Sequence, residues 1–194
     1  ILMNPSTRKL KTIHLTTVVY GKDFINNFLE ITLLNLNTLI KTIPNQIRKN
    51  SIYKIVTSNE HKYYLETSSL LKKIKKIISV EILTYIDEFN NITTYGDYSK
   101  MVLSQERLVI EASKNQAAII FIGPDLIFNK SAFSYIIKKF KEGKNLIVGP
   151  SLRVLKDQTH EYLLSIKKNN ELNLESSEII NLLKNFWHPI NDLF

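Results

Sequence analysis

The 194-residue sequence predicts a three-layer α/β/α fold, with helices on both faces of a mostly parallel sheet. Three observations lead there. β-Rich runs at 13–20, 51–57, 80–86 and 117–122 alternate with helical stretches at the spacing of strand-crossover-strand units. Right-handed crossovers of that length make neighbouring strands parallel. The run Ala117 to Phe128, AAIIFIGPDLIF, is short enough for a strand and too short for a membrane span, and it breaks at Gly123-Pro124-Asp125.

Residues 1–12 read as a polar, basic lead-in. The first strand, IHLTTVVY, closes at Gly21, and the apolar spacing of Phe24, Ile25, Phe28, Leu29, Ile31, Leu33, Leu36 and Leu39 predicts a long, largely buried helix over 22–40. Pro44 marks the exit. SIYKIVT at 51–57 is the second strand, followed from Ser58-Asn59-Glu60 by a helical segment reaching Lys76. A third strand is expected over 80–86, then a polar loop over 87–97 at the edge where the strands end. Residues 98–115 predict a helix with Met101, Val102, Leu108, Val109 and Ala112 towards the core.

After the 117–122 strand, Ser131 is expected to N-cap a helix over 132–141 that Gly143 ends. An apolar run over 145–155, interrupted by Gly149-Pro150, enters a polar segment over 156–173. A last helix over about 174–185 leads to Phe186-Trp187-His188-Pro189. Residues 13–157 form the expected main domain. Residues 158–194 form an extension with one helix whose end at Phe194 reads as an interruption, as the start at Ile1 reads as trimming.

The absence of cysteine removes thiol chemistry, Cys-ligated zinc and disulfides, and is compatible with a cytoplasmic setting. No apolar run is long enough for a membrane helix. The net charge is +8, yet 22 of 26 basic residues are lysine and four are arginine, namely Arg8, Arg48, Arg107 and Arg153. Nucleic-acid readers favour arginine for bidentate contacts, so this balance argues against nucleic acid. The clusters Lys72-Lys73-Lys75-Lys76 and Lys138-Lys139-Lys141-Lys144 fall at helix ends, where cations suit the helix dipole.

Missing signatures narrow the ligand. There is no G-x-G-x-x-G after the first strand, no P-loop and no G-x-S-x-G elbow, which disfavours dinucleotide dehydrogenases, P-loop NTPases and α/β-hydrolases. In a Rossmann-like sheet, ligands bind beyond the carboxyl ends of the strands, so Asp125 is the best-placed polar residue. The alternative is that Asp125 only caps its own turn.

Four stretches carry a resemblance: TTVVYGKDFINNFLEITLLNL, YKIVTSNEHKYYL, YSKMVLSQERLVIEASKNQAAIIFIGPDLIF and EGKNLIVGPSLRV, together spanning about 13–155. The sequence resembles the GT-A type of glycosyltransferase, the nucleotide-diphospho-sugar transferase fold, and particularly a bacterial set of such domains. The resemblance implies that Thr16, Thr17, Val18, Tyr20, Thr57 and Asn59 line the base and ribose pocket. It also implies a D-x-D motif after the 117–122 strand, whose carboxylates hold Mg²⁺ or Mn²⁺ against the diphosphate. Here Gly123-Pro124-Asp125 supplies only the last carboxylate.

A histidine near the C-terminal end often serves in that family, which implies His188 as a second metal ligand; the alternative is a packing anchor at Trp187-His188-Pro189. Gln105 is a further candidate on the ligand edge, Arg153 a candidate phosphate fork, and Asp97 or Asp87 a candidate general base. His14, His61 and His160 show no ligand spacing. The expectation is a domain that binds a nucleotide-sugar donor and transfers the sugar to a saccharide or other acceptor hydroxyl. The second reading is a catalytically silent GT-A-like module that serves as an interaction partner or scaffold.

Overall fold

A computed structural model describes residues 10–144, 147, 153–169, 171–189 and 191. Among these residues four strands, β1 (Ile13–Val18), β2 (Ile52–Val56), β3 (Ser79–Leu83) and β4 (Ala118–Phe121), form one sheet in the order β3-β2-β1-β4. Every pair is parallel, with Leu15 beside Tyr53 and Ile120, and Tyr53 beside Val80. The strand order reverses between β1 and β4. A crevice at such a switch point opens where the two crossovers depart to different sides.

Alternation along the strands separates two cores. Ile13, Leu15, Tyr53, Ile55 and Ile120 face one layer, built from α1 (Lys22–Asn27), a π turn (Phe28–Thr32), α2 (Leu33–Ile40), α3 (Asn45–Arg48), α4 (Asn59–Thr67) and α5 (Ser69–Ile74). Val18, Val56 and Leu83 face the other way and meet Leu108 and Met101 of α6 (Ser99–Lys114). The first core also takes in α7 (Lys130–Lys141), α8 (Lys156–Ile166) and α9 (Ser176–Asn185) through Phe133, Ile137, Leu163 and Leu182.

The expected long first helix is present but not uniform. Leu33 N–H reaches back to Phe28 O, inserting a π turn between α1 and α2. The expected helix after β2 divides at Ser68, whose extended backbone ends α4 and whose side chain accepts from Leu71 N to cap α5. β3 stops at Leu83, and Tyr85–Phe89 winds into a 3₁₀ turn instead of extending the strand. The N-cap of α7 is Asn129, which accepts from Ala132 N, not Ser131. Val109 is exposed, so the inward stripe of α6 is Leu108 and Ala112.

Two further expectations change. The segment read as polar from 156 onward contains α8, held by buried Thr159 and Leu163 one turn apart. β4 is less enclosed than its apolar sequence implies: Ile120 is buried while Phe121 is exposed. Most of the 145–155 run lies outside the described residues. No helix among the described residues is long and apolar enough to cross a membrane.

A charged group crosses the α6 side of the sheet. Lys54, 4% exposed, extends its ammonium to Glu81 on β3 and to Glu111 on α6, the latter at 2.6 Å. Burial works against that charge, but the hydrogen bonds that Lys54 donates to Glu111 and Glu81 win and hold its pKa above its ordinary value. His14 lies on the same face, buried, with Nδ1 unpaired among the described residues. Burial first and the Lys54 charge second lower its pKa, against the smaller opposing pull of Glu111 and Glu81.

The depressed His14 pKa fixes the sign of a pH effect. The unfolded chain binds the extra proton below about pH 6.5, so the stability tied to neutral His14 is complete above that value. It is lost as pH falls through the depressed pKa of the folded state. We predict that urea unfolding between pH 7.5 and 5 shows wild-type stability falling by up to about 1.4 kcal/mol per pH unit more steeply than in His14→Leu. Identical slopes in the two proteins would contradict the assignment.

Candidate functional site at the carboxyl edge of the sheet

Because all four strands are parallel, their carboxyl ends deliver four connections to one edge: 19–22, 57–59, 84–98 and 122–129. Gly21 adopts φ 83°, a conformation that side-chain-bearing residues rarely take, and so turns β1 directly into α1. Tyr20 is half-buried there, with Lys100 Nζ 5.8 Å from its ring centroid. Phe24, 53% exposed, lies beside Gly21. An aromatic face and a cation thus meet at the end of the central strand.

At the end of β2, Asn59 and Asp87 join neighbouring connections. Asn59 donates both its backbone N–H and its Nδ2 to Asp87 Oδ2, each at 2.8 Å. Asp87 therefore caps the start of α4 from outside that helix, where a carboxylate suits the exposed N–H groups and the dipole. Tyr85, two residues earlier, donates to Ser104 O and lies under Arg107, whose guanidinium is 4.2 Å from the ring centroid. Burial chiefly pushes its phenol up to about 12.

The β4 connection carries Asp125, exposed to solvent. Leu126 N donates to Gly123 O at 3.2 Å to close the turn. A Cβ at position 123 would stand 3.2 Å from Asp125 Oδ1, tighter than side chains normally pack, and in contact with Leu126 Cβ at 3.4 Å. Glycine at 123, where the resemblance places a first carboxylate, thus leaves room for the Asp125 carboxylate to fold back over the turn.

Three polar side chains of the first helix hold this connection. Thr32 Oγ1 donates to Pro124 O at 2.6 Å, and Asn27 Nδ2 reaches the same oxygen at 3.5 Å. Asn35 Nδ2 donates to Phe128 O while Asn35 Oδ1 accepts from Phe128 N, both at 2.9 Å, and Nδ2 also reaches Leu172 O. The π turn lies between Asn27 and Asn35, so a straight α-helix would rotate these side chains out of this shared alignment. The sequence carries one sign of this: Asn35 sits in a helix whose every residue from Leu33 to Ile40 is buried, and a buried carboxamide needs partners.

Other expected residues lie elsewhere. Thr17 is buried and its hydroxyl is 2.8 Å from the Tyr53 hydroxyl, inside the helix-side core. Thr57 is fully buried, and its amide continues the sheet by donating to Leu83 O. Neither presents a group at the edge, because strand alternation turns both towards the helices. Thr16 and Val18 are buried against the α6 side. Gln105 is half-buried on α6, six residues and so about 9 Å from its start.

Arg153 is exposed, and its backbone pairs with the Asn191 side chain and accepts from His188 N. His188 follows the Val154–Trp187 bridge, so these two candidates share the C-terminal segment. The side chain of Asp97, in the turn Gly96–Tyr98, lies outside the described residues. No group of three or more histidine, aspartate or glutamate side chains able to hold a metal occurs among the described residues.

No family model, curated protein or solved structure matches the chain. The site therefore rests on its own geometry. A separate shallow groove of about 440 Å³ lies in the helical layer, floored by Leu29, Leu34, Leu70 and Leu164 with Glu30 and Lys167 at its sides. It is built by the π turn, α2, α4, α5 and α8, not by the strand ends.

We predict that Asn35→Ala destabilises the fold by about 2–4 kcal/mol, because the two Phe128 backbone groups and Leu172 O lose a partner in a buried setting. Urea unfolding measures the loss. A change under about 0.5 kcal/mol would mean that the carboxamide does not hold the 123–128 connection.

Proposed function

We propose that this chain is a glycosyltransferase-like domain that binds a nucleotide-sugar at the carboxyl edge of its sheet and transfers the sugar to an acceptor hydroxyl. The observation that carries the proposal is the pairing of a parallel β3-β2-β1-β4 sheet with a switch point flanked by Tyr20-Gly21 and Gly123-Pro124-Asp125. An open α/β sheet offers its ligand site there. The resemblance to GT-A transferases supplies the ligand class.

In this reading the Tyr20 ring, backed by the Lys100 ammonium, stacks against the base. The paired Asn59 and Asp87 present polar groups to base or ribose from the adjacent strand end. Thr17, Thr57 and Val18 shape the pocket from beneath without touching the ligand. Asp125 faces the diphosphate.

One carboxylate fits a hard cation only when the donor's own phosphates complete its oxygen ligands, as Mg²⁺ often allows. Mg²⁺ or Mn²⁺ would then offset the negative charge of the departing diphosphate. Asp125 is the residue that would hold it, and His188 belongs to this proposal only as a candidate second ligand. In transfer, the bond from the anomeric carbon to the phosphate oxygen breaks, a bond to the acceptor oxygen forms, and the acceptor proton passes to a base. Asp97 or Asp87, on the 84–98 connection, is the candidate for that base, with Gln105 as a candidate on the ligand edge and Arg153 as a candidate phosphate partner. A cytoplasmic setting is part of the same reading.

The single carboxylate, together with the inward-turned Thr17 and Thr57, favours a second reading: a GT-A-like module without transfer activity that binds a partner. Calorimetry against UDP, GDP, CDP and CMP compounds, with and without Mn²⁺, separates the two. The transferase proposal predicts binding to at least one nucleotide, strengthened by Mn²⁺, with the Mn²⁺ effect lost in Asp125→Ala. No heat with any nucleotide would reject it in favour of the silent module.

A further inference from the structure

The edge opposite the candidate site has a charge pattern of its own. The segments that enter β1, β2 and β4 are hydrogen-bonded there, Thr12 Oγ1 to Asn50 O, Ile13 N to Ser51 Oγ and Ala118 N to Thr12 O, and the start of β3 joins them through the pairing of Ser79 with Ile52. Lys11 precedes β1, Arg48 and Lys49 precede β2, Lys72, Lys73, Lys75 and Lys76 precede β3, and Lys114 precedes β4. All but half-buried Arg48 are exposed. None forms an ion pair among the described residues, and Glu81 and Glu111, which follow the start of β3 and precede the end of α6, are both engaged by Lys54. The carboxyl edge differs: Asp23, Glu60, Asp87, Glu88 and Asp125 there are balanced by Lys22, Lys62, Lys100, Arg107 and Lys130, with Arg107 paired to Glu88. The net charge of +8 is thus polarised along the strand direction.

Helix dipoles do not account for this. A helix C-terminus carries about half a negative charge, which one cation offsets, yet the six-residue α5 has Lys72 and Lys73 in its last turn and is followed by Lys75 and Lys76, all exposed. From this geometry we infer that the amino edge of the sheet is a docking face for an anionic membrane surface. Lysine is a compact, hydrated point charge suited to a diffuse field of lipid headgroups, and four to eight such residues grouped together suffice for attraction. Among the described residues of these segments the one arginine, Arg48, is half-buried and donates to Lys41 O, and no large aromatic side chain is exposed for stacking, so the forks and platforms of a nucleic-acid face are not presented. Among their described residues the segments carry no exposed large apolar anchor, so the attachment inferred from them is electrostatic and reversible. Docked this way, the candidate site faces away from the lipid, open to soluble ligands. The inference stands independently of what that site binds.

Vesicle co-sedimentation tests it, comparing vesicles of phosphatidylcholine alone with vesicles of equal parts phosphatidylcholine and phosphatidylserine. The protein is expected to bind only the anionic vesicles, and to release them as ionic strength rises. Replacing Lys72, Lys73, Lys75 and Lys76 together by Gln is expected to weaken binding at least about ten-fold. Replacing Lys62, Lys130, Lys156 and Lys184 by Gln, an equal loss of charge outside this edge, should weaken it far less. Circular dichroism melting confirms that both variants fold. Equal binding to neutral vesicles, equal loss in the two variants, or tighter binding to an oligonucleotide than to anionic vesicles at the same ionic strength would each overturn the inference.

Discussion

Asn35 uses its carboxamide as a stretch of backbone would be used, giving and receiving a hydrogen bond with Phe128 while its second N–H reaches Leu172. The geometry of the candidate edge depends on that pairing. A connection leaving a strand would ordinarily satisfy its backbone groups with water or a neighbouring strand. Here a helix side chain does so, two residues after the Gly123-Pro124-Asp125-Leu126 turn. Thr32 adds a bond to Pro124 O from the π turn, so the first helix, packed between sheet and C-terminal segment, fixes where Asp125 stands. The same carboxamide draws Leu172 in, linking residues distant in sequence into the core around Leu172 and Leu174.

The parts of the fold legible in the sequence are those whose signal is periodic. Alternating and continuous apolar runs mark the four strands, and the strand-helix rhythm implies the parallel order. What stays hidden depends on partners far along the chain. The π turn is ordinary helical sequence until Thr32 meets Pro124, 92 residues later, and Asn35 meets Phe128, 93 residues later. α8 has a weakly patterned sequence, and Thr159 with Leu163 becomes meaningful only against the core it covers. Thr17 and Thr57 do lie near strand ends, but which face a strand residue occupies is set by sheet register, and both face inward. Asp125 is legible because Gly-Pro-Asp after an apolar run marks a strand passing into a tight turn. The Asn59–Asp87 pair, by contrast, requires two connections to come together.

A parallel sheet also sorts charge. Every strand start and every crossover's arrival lie at one edge, and every strand end at the other, so lysines scattered through the sequence as helix-end residues collect into one face when the chain folds. The buried exception is Lys54, which crosses the sheet instead and is matched by Glu81 and Glu111. Its charge stays internal. The cations of the amino edge have no such partners among the described residues, and the two ends of the strands therefore differ in both chemistry and exposure.

If ligand chemistry belongs to the carboxyl edge, backbone amide NMR during titration with UDP and its companion nucleotides will locate it there. Shifts are expected only at 20–24, 57–59, 84–87 and 123–126, with the amino-edge segments unchanged. Shifts centred instead on Leu29, Leu34, Leu70 and Leu164 would place binding in the helical-layer groove and contradict that assignment.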